Sequence, residues 1–287
     1  MLATKITTSC ELCSGCKTPQ TIVVKLGGTE GVDFSAICRD VVELQACGHD
    51  VILVHGGSAE ANALGEAVGC SPRFVTSPSG FTSRYTDRKT LEIFAMAVNG
   101  KVNTLLVEQL QRMGVNAFGL SGLDGRTIKA TRKASVQIIE NGKRKILRDD
   151  YTGKIEQVNT GLLCLLLASR NTPVIAPIAV SENGEALNVD ADRVAAMIAA
   201  SLRADTLLLL TAVPGLLKDF PDETTLIKTI PQSYLGNALQ FAQGRMKKKV
   251  LGAQEALQGG AKQVIIADGR VVNPISNALA GNGTVIE

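Results

Sequence analysis

The sequence predicts an α/β protein: a three-layer αβα sandwich around a mostly parallel central sheet, divided into two lobes. Three observations lead there. Two apolar runs, Thr21-Ile-Val-Val-Lys-Leu-Gly-Gly28 and Asp50-Val-Ile-Leu-Val-His-Gly-Gly-Ser58, each end in a Gly-Gly pair. Continuous β-branched runs bounded by glycine suit strands buried on both faces, as central parallel strands are. Strand-like and helix-like segments then alternate along most of the chain, and β-α-β alternation builds a sheet covered by helices on both sides. With 287 residues, 45% of them apolar, the chain can bury a core of that size.

The elements follow in order. Strand Ile22–Leu26 leads to helix Asp33–Ala46, which Asp33 is placed to cap. Strand Val51–Val54 leads to a helix near Ser58–Val68. A long helix spans Asp87–Met113, with Asp87 as its cap and Leu91, Phe94, Val98, Val102, Leu105, Leu106 and Leu110 on one side. Gly100 within it suggests a close helix–helix contact. Val115–Leu120 returns as a strand, and Gly119, Gly122 and Gly125 are expected at turns. Between Thr127 and Lys154 short alternating strands surround Asn141-Gly142, a pair that favours a hairpin turn. Helix Val158–Ala168, strand Pro173–Ala176, helix Ala191–Leu202, strand Thr206–Leu210, helix Arg245–Leu257 and strand Gln263–Ala267 complete the pattern. The turn-rich Ser181–Gly184 separates an N-terminal lobe, residues 21–180, from a C-terminal lobe, residues 181–287.

Residues 1–20 read as a disordered leader. Cys10, Cys13 and Cys16 within it could ligate zinc or an iron–sulfur cluster. Without a fourth ligand nearby, a disordered extension or a start codon placed too early is the better reading. Cys38, Cys47, Cys70 and Cys164 are scattered singly and read as ordinary free thiols. No apolar run approaches the roughly 18 residues of a membrane span, and no secretory signal is evident, so a cytoplasmic protein without a membrane partner is expected.

Charge is unevenly spread. Arg126 to Arg148 holds eight basic residues against one acid, Glu140, a local excess of seven. The chain as a whole is +3, so the remainder is negative by four. Such a patch suits an acidic partner. It contains no aromatic residue on which bases could stack, so nucleic acid is not the partner expected.

Glycine lets a backbone approach a phosphate, and a helix N-terminus behind it offers free N–H donors and partial positive charge. Two such turns side by side, with Lys25 at one mouth, suggest a site for a phosphoryl group. Neither a GxxxxGK[ST] loop nor a GxGxxG turn is present, which leaves the paired Gly-Gly turns as the phosphate binder. Asn188-Val-Asp-Ala-Asp192 and Gly244-Arg-Met-Lys-Lys-Lys-Val250 turn the suggestion into a kinase hypothesis.

With these motifs assembled, the chain resembles the amino acid kinase family, and the acetylglutamate kinases within it. The resemblance runs from about Thr21 to Glu287. It rests on Lys25-Leu-Gly-Gly28, His55-Gly-Gly-Ser58, Arg84-Tyr-Thr-Asp87, Gly119-Leu-Ser-Gly-Leu-Asp-Gly125, Asn188–Asp192 and Met246–Val250. Ser83-Arg-Tyr-Thr-Asp-Arg88, Asp150-Tyr-Thr-Gly-Lys154 and Ala242-Gln-Gly-Arg-Met-Lys247 resemble the branch whose substrate rides on an amino-group carrier, the LysW-aminoadipate kinases. In that branch the carrier is a small acidic protein whose terminal glutamate side chain holds the substrate by its amino group.

The resemblance implies transfer of the ATP γ-phosphoryl group to a side-chain carboxylate, with Mg²⁺ bound through the phosphates and no metal ligands from the protein. The acceptor is ionised at neutral pH, so no general base is required and a chain with two histidines suffices. Lys25 and Lys249 would flank the phosphoryl group, and Asp192 would orient both. Gly27, Gly28, Gly56 and Gly57 would present N–H groups to phosphate. Arg84 would grip the substrate α-carboxylate, with Asn188 and Gly57 beside it. Asn188 and Asp190 both suit a helix cap as well. Thr211, Val213, Gly215 and Met246 would meet the nucleotide, although Ala212 stands where acetylglutamate kinases usually carry an acid. Arg126, Lys129, Lys143, Arg144 and Lys145, on a basic hairpin at about 126–154, would contact the carrier. The long helix would pair two subunits. Carrier-linked glutamate and free N-acetylglutamate are the alternative acceptors; the basic segment and Tyr85 stand against the second. A non-catalytic ligand sensor is the alternative outside enzymes, and joint retention of Lys25, Asp192 and Lys249 stands against it.

Overall fold

The structure, a computed structural model, describes residues 18–27, 34–78, 80, 82–133, 135–140 and 143–287. Asp33, Gly28, the Asn141-Gly142 pair and Cys10, Cys13 and Cys16 lie outside the described residues. In chain order the strands are β1 Thr21–Leu26, β2 Asp50–His55, β3 Phe74–Thr76, β4 Thr82–Arg84, β5 Ala117–Ser121, β6 Ile128–Arg132, β7 Val136–Glu140, β8 Lys143–Leu147, β9 Gly153–Val158, β10 Thr172–Ala176, β11 Ile178–Val180, β12 Ala186–Asn188, β13 Thr206–Thr211, β14 Thr229–Ile230, β15 Gln263–Asp268 and β16 Thr284–Ile286. The helices are α1 Phe34–Ala46, α2 Ser58–Ala67, α3 Arg88–Ala95, α4 Thr104–Arg112, α5 Thr160–Ala168, α6 Ala191–Leu202, α7 Leu235–Ala238, α8 Gly244–Gln258 and α9 Pro274–Leu279.

An eight-stranded sheet runs β14-β16-β15-β13-β1-β2-β10-β5. Its ladders are parallel except where β16 meets β15. The runs expected to be central are central: β1 lies between β2 and β13, with Lys25 opposite Val54 on one side and Leu209 on the other. Side chains alternate across the sheet. Val23, Val54, Leu207, Leu209 and Ile266 pack on one face with α5, α6 and α8. Ile22, Val24, Leu53, Leu208 and Ile265 pack on the other with α1, α4 and α9. The three expected layers are these. Asp40 of α1 also reaches across to α9, accepting from Ile275 N at 2.6 Å and Ser276 Oγ at 2.8 Å.

The expected long helix is continuous, but its middle, Met96–Asn103, is a π-helix. The buried side chains Phe94, Val98, Val102, Leu106 and Leu110 recur every fourth residue. In an ideal α-helix such a row drifts about 40° per step. The wider π turn absorbs the drift and keeps the row on the core. Leu105, expected in that row, is 52% exposed instead. Gly100 faces open space, so it makes no close helix contact within this chain.

The segment expected as one basic hairpin at 126–154 divides between two smaller sheets. β6 pairs with β9 and β11, in the order β12-β11-β6-β9. Only β7 and β8 form a hairpin, in the order β4-β3-β7-β8. Alternation marks a strand without naming its partner, and that is why the two were merged. Ser181–Gly184 is the turn between β11 and β12, closed by Ser181 N on Glu185 O at 2.8 Å. Cys38, Cys70 and Cys164 are free thiols as expected. Cys47 is not; it is disulfide-bonded.

Asn103, at the end of the π turn, donates to His55 Nε2 at 3.0 Å and Val174 O at 2.8 Å. Gly119 leaves the space that Asn103 fills. A Cβ there would collide with Asn103 Oδ1 and stand 3.0 Å from Val107. Asn103 is buried and cannot swing away without losing both bonds. Gly119→Ala is therefore expected to destabilise the fold by about 1–3 kcal/mol through overpacking. Urea unfolding checks this; an unchanged midpoint would refute it.

Candidate active site

The site lies at the carboxyl edge of the central sheet, where the chain turns from β1 to β2 on one side and β13 closes the other. Ligands bind at such switch points because successive helices diverge there. Lys25 has the parity of Val23, so it points to the α6 and α8 face. α6 starts there with Asp190 as cap, its carboxylate accepting from Asp192 N at 3.0 Å and Arg193 N at 3.2 Å. Asn188 does not share that role.

α8 packs closely on α6 because small residues meet. A Cβ at Gly259 would come within 2.5 Å of Ala200, and one at Gly252 would touch Ala196 and the Asp192 carbonyl. Lys249, three residues before Gly252, thereby stands over Asp192. Its ammonium donates to both carboxylate oxygens at 3.0 Å. Lys25 Nζ lies 2.8 Å from Oδ1 of the same carboxylate. The three residues predicted as catalytic thus form one cluster.

Two lysines and one acid leave a buried excess of positive charge. Lys25 is 7% exposed and Lys249 6%. Burial, aided by the nearby Lys25 charge, pushes the Lys249 ammonium down to about 8, against the restoring pull of Asp192. Burial also acts to raise Asp192, but the two lysines outweigh it and hold the carboxyl well below the usual range. The carboxylate is therefore always charged, whereas Lys249 can lose its proton in mildly alkaline solution.

A cavity of about 740 Å³ opens in front of this cluster. It brings together Lys25, Gly27, Gly56, Gly57, Arg84, Asn188, Asp192, Thr211, Val213, Gly215, Met246 and Lys249. Gly57 precedes α2, at φ 156° and ψ 17°, and it lines the cavity together with Ser58, so the N-terminal end of that helix adjoins the cavity. A side chain at Gly57 would come 2.7 Å from Val98. His55 sits beneath this turn, in contact with Gly56 O at 2.6 Å through Nδ1. Burial drives its pKa down to about 4, so it is neutral, with Nδ1–H donating and Nε2 accepting from Asn103. It braces the turn and does not face the reacting groups.

Arg84, 8% exposed, donates to Ser58 O at 3.2 Å and Asn62 Oδ1 at 2.6 Å. It lies over the rings of Phe74 and Phe94 at 5.1 and 5.9 Å. Among the described residues no acid pairs with it, and burial lowers its pKa. A buried guanidinium lacking a counter-ion is a place for an anion. Asn188 Nδ2 donates to Thr86 Oγ1 at 3.0 Å. Tyr85 turns away to donate to Asp149, and burial together with that bond pushes its phenol up to about 12.

The cavity also draws in Phe74, Phe94, Lys133, Leu217, Phe220 and Phe241, which the motifs missed, and Lys248, which lies in the Met246–Val250 motif but was given no role there. Phe74, half exposed in a chain with 3% aromatics, is the one with a signal of its own. The basic residues expected to act together do not adjoin in one element. Lys143, Arg144 and Lys145 occupy β8. Arg126 and Lys129 border a separate cleft with Gln157 and Asn159. Lys145 and Arg73 both pair with Glu140, whereas Lys143 and Arg144 have no acidic partner among the described residues.

The chain is similar to known proteins. The chain is 58% identical over 265 residues to the LysW-aminoadipate kinase of Deinococcus radiodurans, covering 92% of this chain and 91% of that protein. It is 52% identical over 267 residues to the LysW-aminoadipate kinase of Thermus thermophilus, covering 92% and 99%. Among solved structures, N-acetylglutamate synthase from Neisseria gonorrhoeae, complexed with coenzyme A and N-acetyl-glutamate, superposes with a TM-score of 0.75 at 25% identity. That match covers 93% of this chain and 59% of the other. Residues 20–268 match the amino acid kinase family, and the chain belongs to that family.

Proposed function

We propose that this protein transfers the γ-phosphoryl group of ATP to the side-chain carboxylate of α-aminoadipate carried by its amino group on a small acidic LysW-like protein. The product is an acyl phosphate, an intermediate suited to lysine synthesis in the cytoplasm. The observation that carries the reading is the buried Lys25–Asp192–Lys249 cluster, one positive charge in excess, facing a cavity that also holds the unpaired Arg84. The names of the two similar kinases support the choice of acceptor. Carrier-linked glutamate differs by one methylene, which a pocket distinguishes by only about 1–3 kcal/mol.

In this reading the C-terminal part of the chain holds the nucleotide. Thr211, Val213, Gly215 and Met246 meet it, and Leu217, Phe220 and Phe241 supply apolar surface for a base. The N-terminal part holds the acceptor, with the α-carboxylate on Arg84 and Asn188 beside it. An acceptor oxygen attacks the γ-phosphorus while the bond to the bridging oxygen breaks, and ADP leaves; no proton moves. Lys25 stabilises the acceptor side and Lys249 the nucleotide side, while N–H groups of Gly27, Gly56 and Gly57 meet the transferring oxygens. Mg²⁺, if carried in with ATP, would supply further neutralising charge on the phosphates. Two subunits pair through the helix spanning 87–113, whose outer face exposes Met96 and Leu105.

Lys25→Ala and Lys249→Ala should each lower kcat by about 10²–10³, the loss that follows removal of one preorganised transition-state donor. The exposed Lys247 should be replaceable by Ala within a few-fold. Near-normal turnover in Lys249→Ala would refute the catalytic assignment; the assay supplies carrier-linked aminoadipate, carrier-linked glutamate and both free N-acetyl acids in parallel.

The depressed Lys249 pKa makes activity pH-dependent. Lysine is active when protonated, so kcat/KM should be level below about pH 8 and fall above it as Lys249 discharges. A profile flat to about pH 10, near the reference lysine value, would remove Lys249 as the group that limits the alkaline limb.

Charge steering predicts a salt effect. The kcat/KM for carrier-linked substrate should fall as salt rises, mostly through KM, since surface charges are screened beyond about 8–10 Å at physiological strength. Replacing Lys143, Arg144 and Lys145 together by Glu should have the same effect at low salt, and free N-acetyl acids should be indifferent. Intact turnover of carrier-linked substrate in the triple variant would show that β8 is only a solvated edge.

A further inference from the structure

We infer that Lys133 binds a negatively charged group on the far side of the acceptor's acyl bond, making the cavity select an N-acyl chain that carries its own carboxylate. The inference rests on the reading of function given above. The cations of the cavity differ in depth and in partners. Lys25, Lys249 and Arg84 are each less than a tenth exposed, and Asp192 or main-chain and amide oxygens engage them. Lys248 donates to Thr82 O at 3.3 Å. Lys133 lines the same cavity but is exposed, and its ammonium has no ion-pair or hydrogen-bond partner among the described residues. Of the two acids on the cavity wall, Asp192 bonds the buried lysines and Asp190 caps α6.

Lys133 also stands on the same wall as Arg84, although the two come from different sheets. Its N–H donates to Thr152 O at 3.2 Å, and Thr152 bridges to Asn188. Asn188 N donates to Tyr151 O at 2.9 Å, and its side chain donates to Thr86, whose hydroxyl donates to Arg84 O at 3.2 Å. An acceptor with its α-carboxylate on Arg84 and its reacting carboxylate on the lysine pair has one substituent left, the acyl group on nitrogen. That group is free to extend into the rest of the cavity, whose lining includes Lys133. An acetyl group offers this lysine nothing, whereas a longer acyl chain ending in a carboxylate does.

The test uses two acyl chains of equal length. N-glutaryl-α-aminoadipate and N-pentanoyl-α-aminoadipate differ only in a terminal carboxylate, and each is measured as a competitor of carrier-linked aminoadipate phosphorylation. In the wild type the glutaryl compound should have a Ki about fivefold lower at low salt, the upper range for an exposed charge pair. Lys133→Met should bring the two values together, Lys133→Arg should keep them apart, and Lys133→Glu should reverse their order. Equal values in the wild type, no inhibition by the glutaryl compound, or a ratio that persists in Lys133→Met would overturn the inference. A wild type that leaves carrier-linked aminoadipate unphosphorylated would instead overturn the reading of function on which it rests.

Discussion

Everything in the site depends on one carboxylate held between two ammonium groups. Among the described residues Asp192 is the one acid that pairs with Lys25 and Lys249, and it bonds both at 2.8–3.0 Å. Burying two like charges is costly unless an opposite charge lies within contact, and removing that charge leaves both uncompensated. The arrangement therefore ties β1, α6 and α8 into one geometry. Helix packing supplies what the charges need: Gly252 and Gly259 bring α8 onto α6, and the parity of β1 turns Lys25 toward them. The remaining positive charge is unanswered within the cluster and is available to an anion.

The acceptor side is built differently. Arg84 is held by neutral acceptors and lies over aromatic faces, so its orientation is set while its charge stays uncancelled. Its short strand, β4, belongs to a sheet that also contains β8, whose outer face is basic. A deep anion site and a shallow basic edge thus share one small sheet. Small molecules meet the first; only a macromolecule could meet both.

Much of this was legible in the chain, for identifiable reasons. Strands buried on both faces carry long apolar runs, so β1, β2, β10, β13 and β15 declared themselves, and α6 matched its expected bounds. Strands of three residues, such as β3, β4, β11 and β12, hold too few positions to show a period. The basic segment looked like one hairpin because alternation says nothing about which sheet a strand joins. The π turn left a trace, the four-residue spacing from Phe94 to Leu110, which a 3.6-residue template reads as an ordinary helix. The lysine pair and their shared acid could all be named from motifs, whereas their contact at 2.8–3.0 Å exists only once α6 and α8 pack together. Phe74 and Lys133 escaped because membership of a cavity wall is a property of tertiary folding.

The position of β1 in the sheet bears on how the protein is made. Its two neighbours are β2, which follows soon after, and β13, which pairs with it across more than 180 residues. Of the groups that complete the site, Asp192 is made shortly before β13 and Lys249 after it. At about 5–20 residues per second, Lys25 leaves a ribosome on the order of ten to forty seconds before Lys249 does. Until β13 emerges, this apolar strand with its buried lysine has only one edge covered. The nascent chain must hold this half-finished sheet in solution until β13 pairs with it, and α8 then brings in the second ammonium.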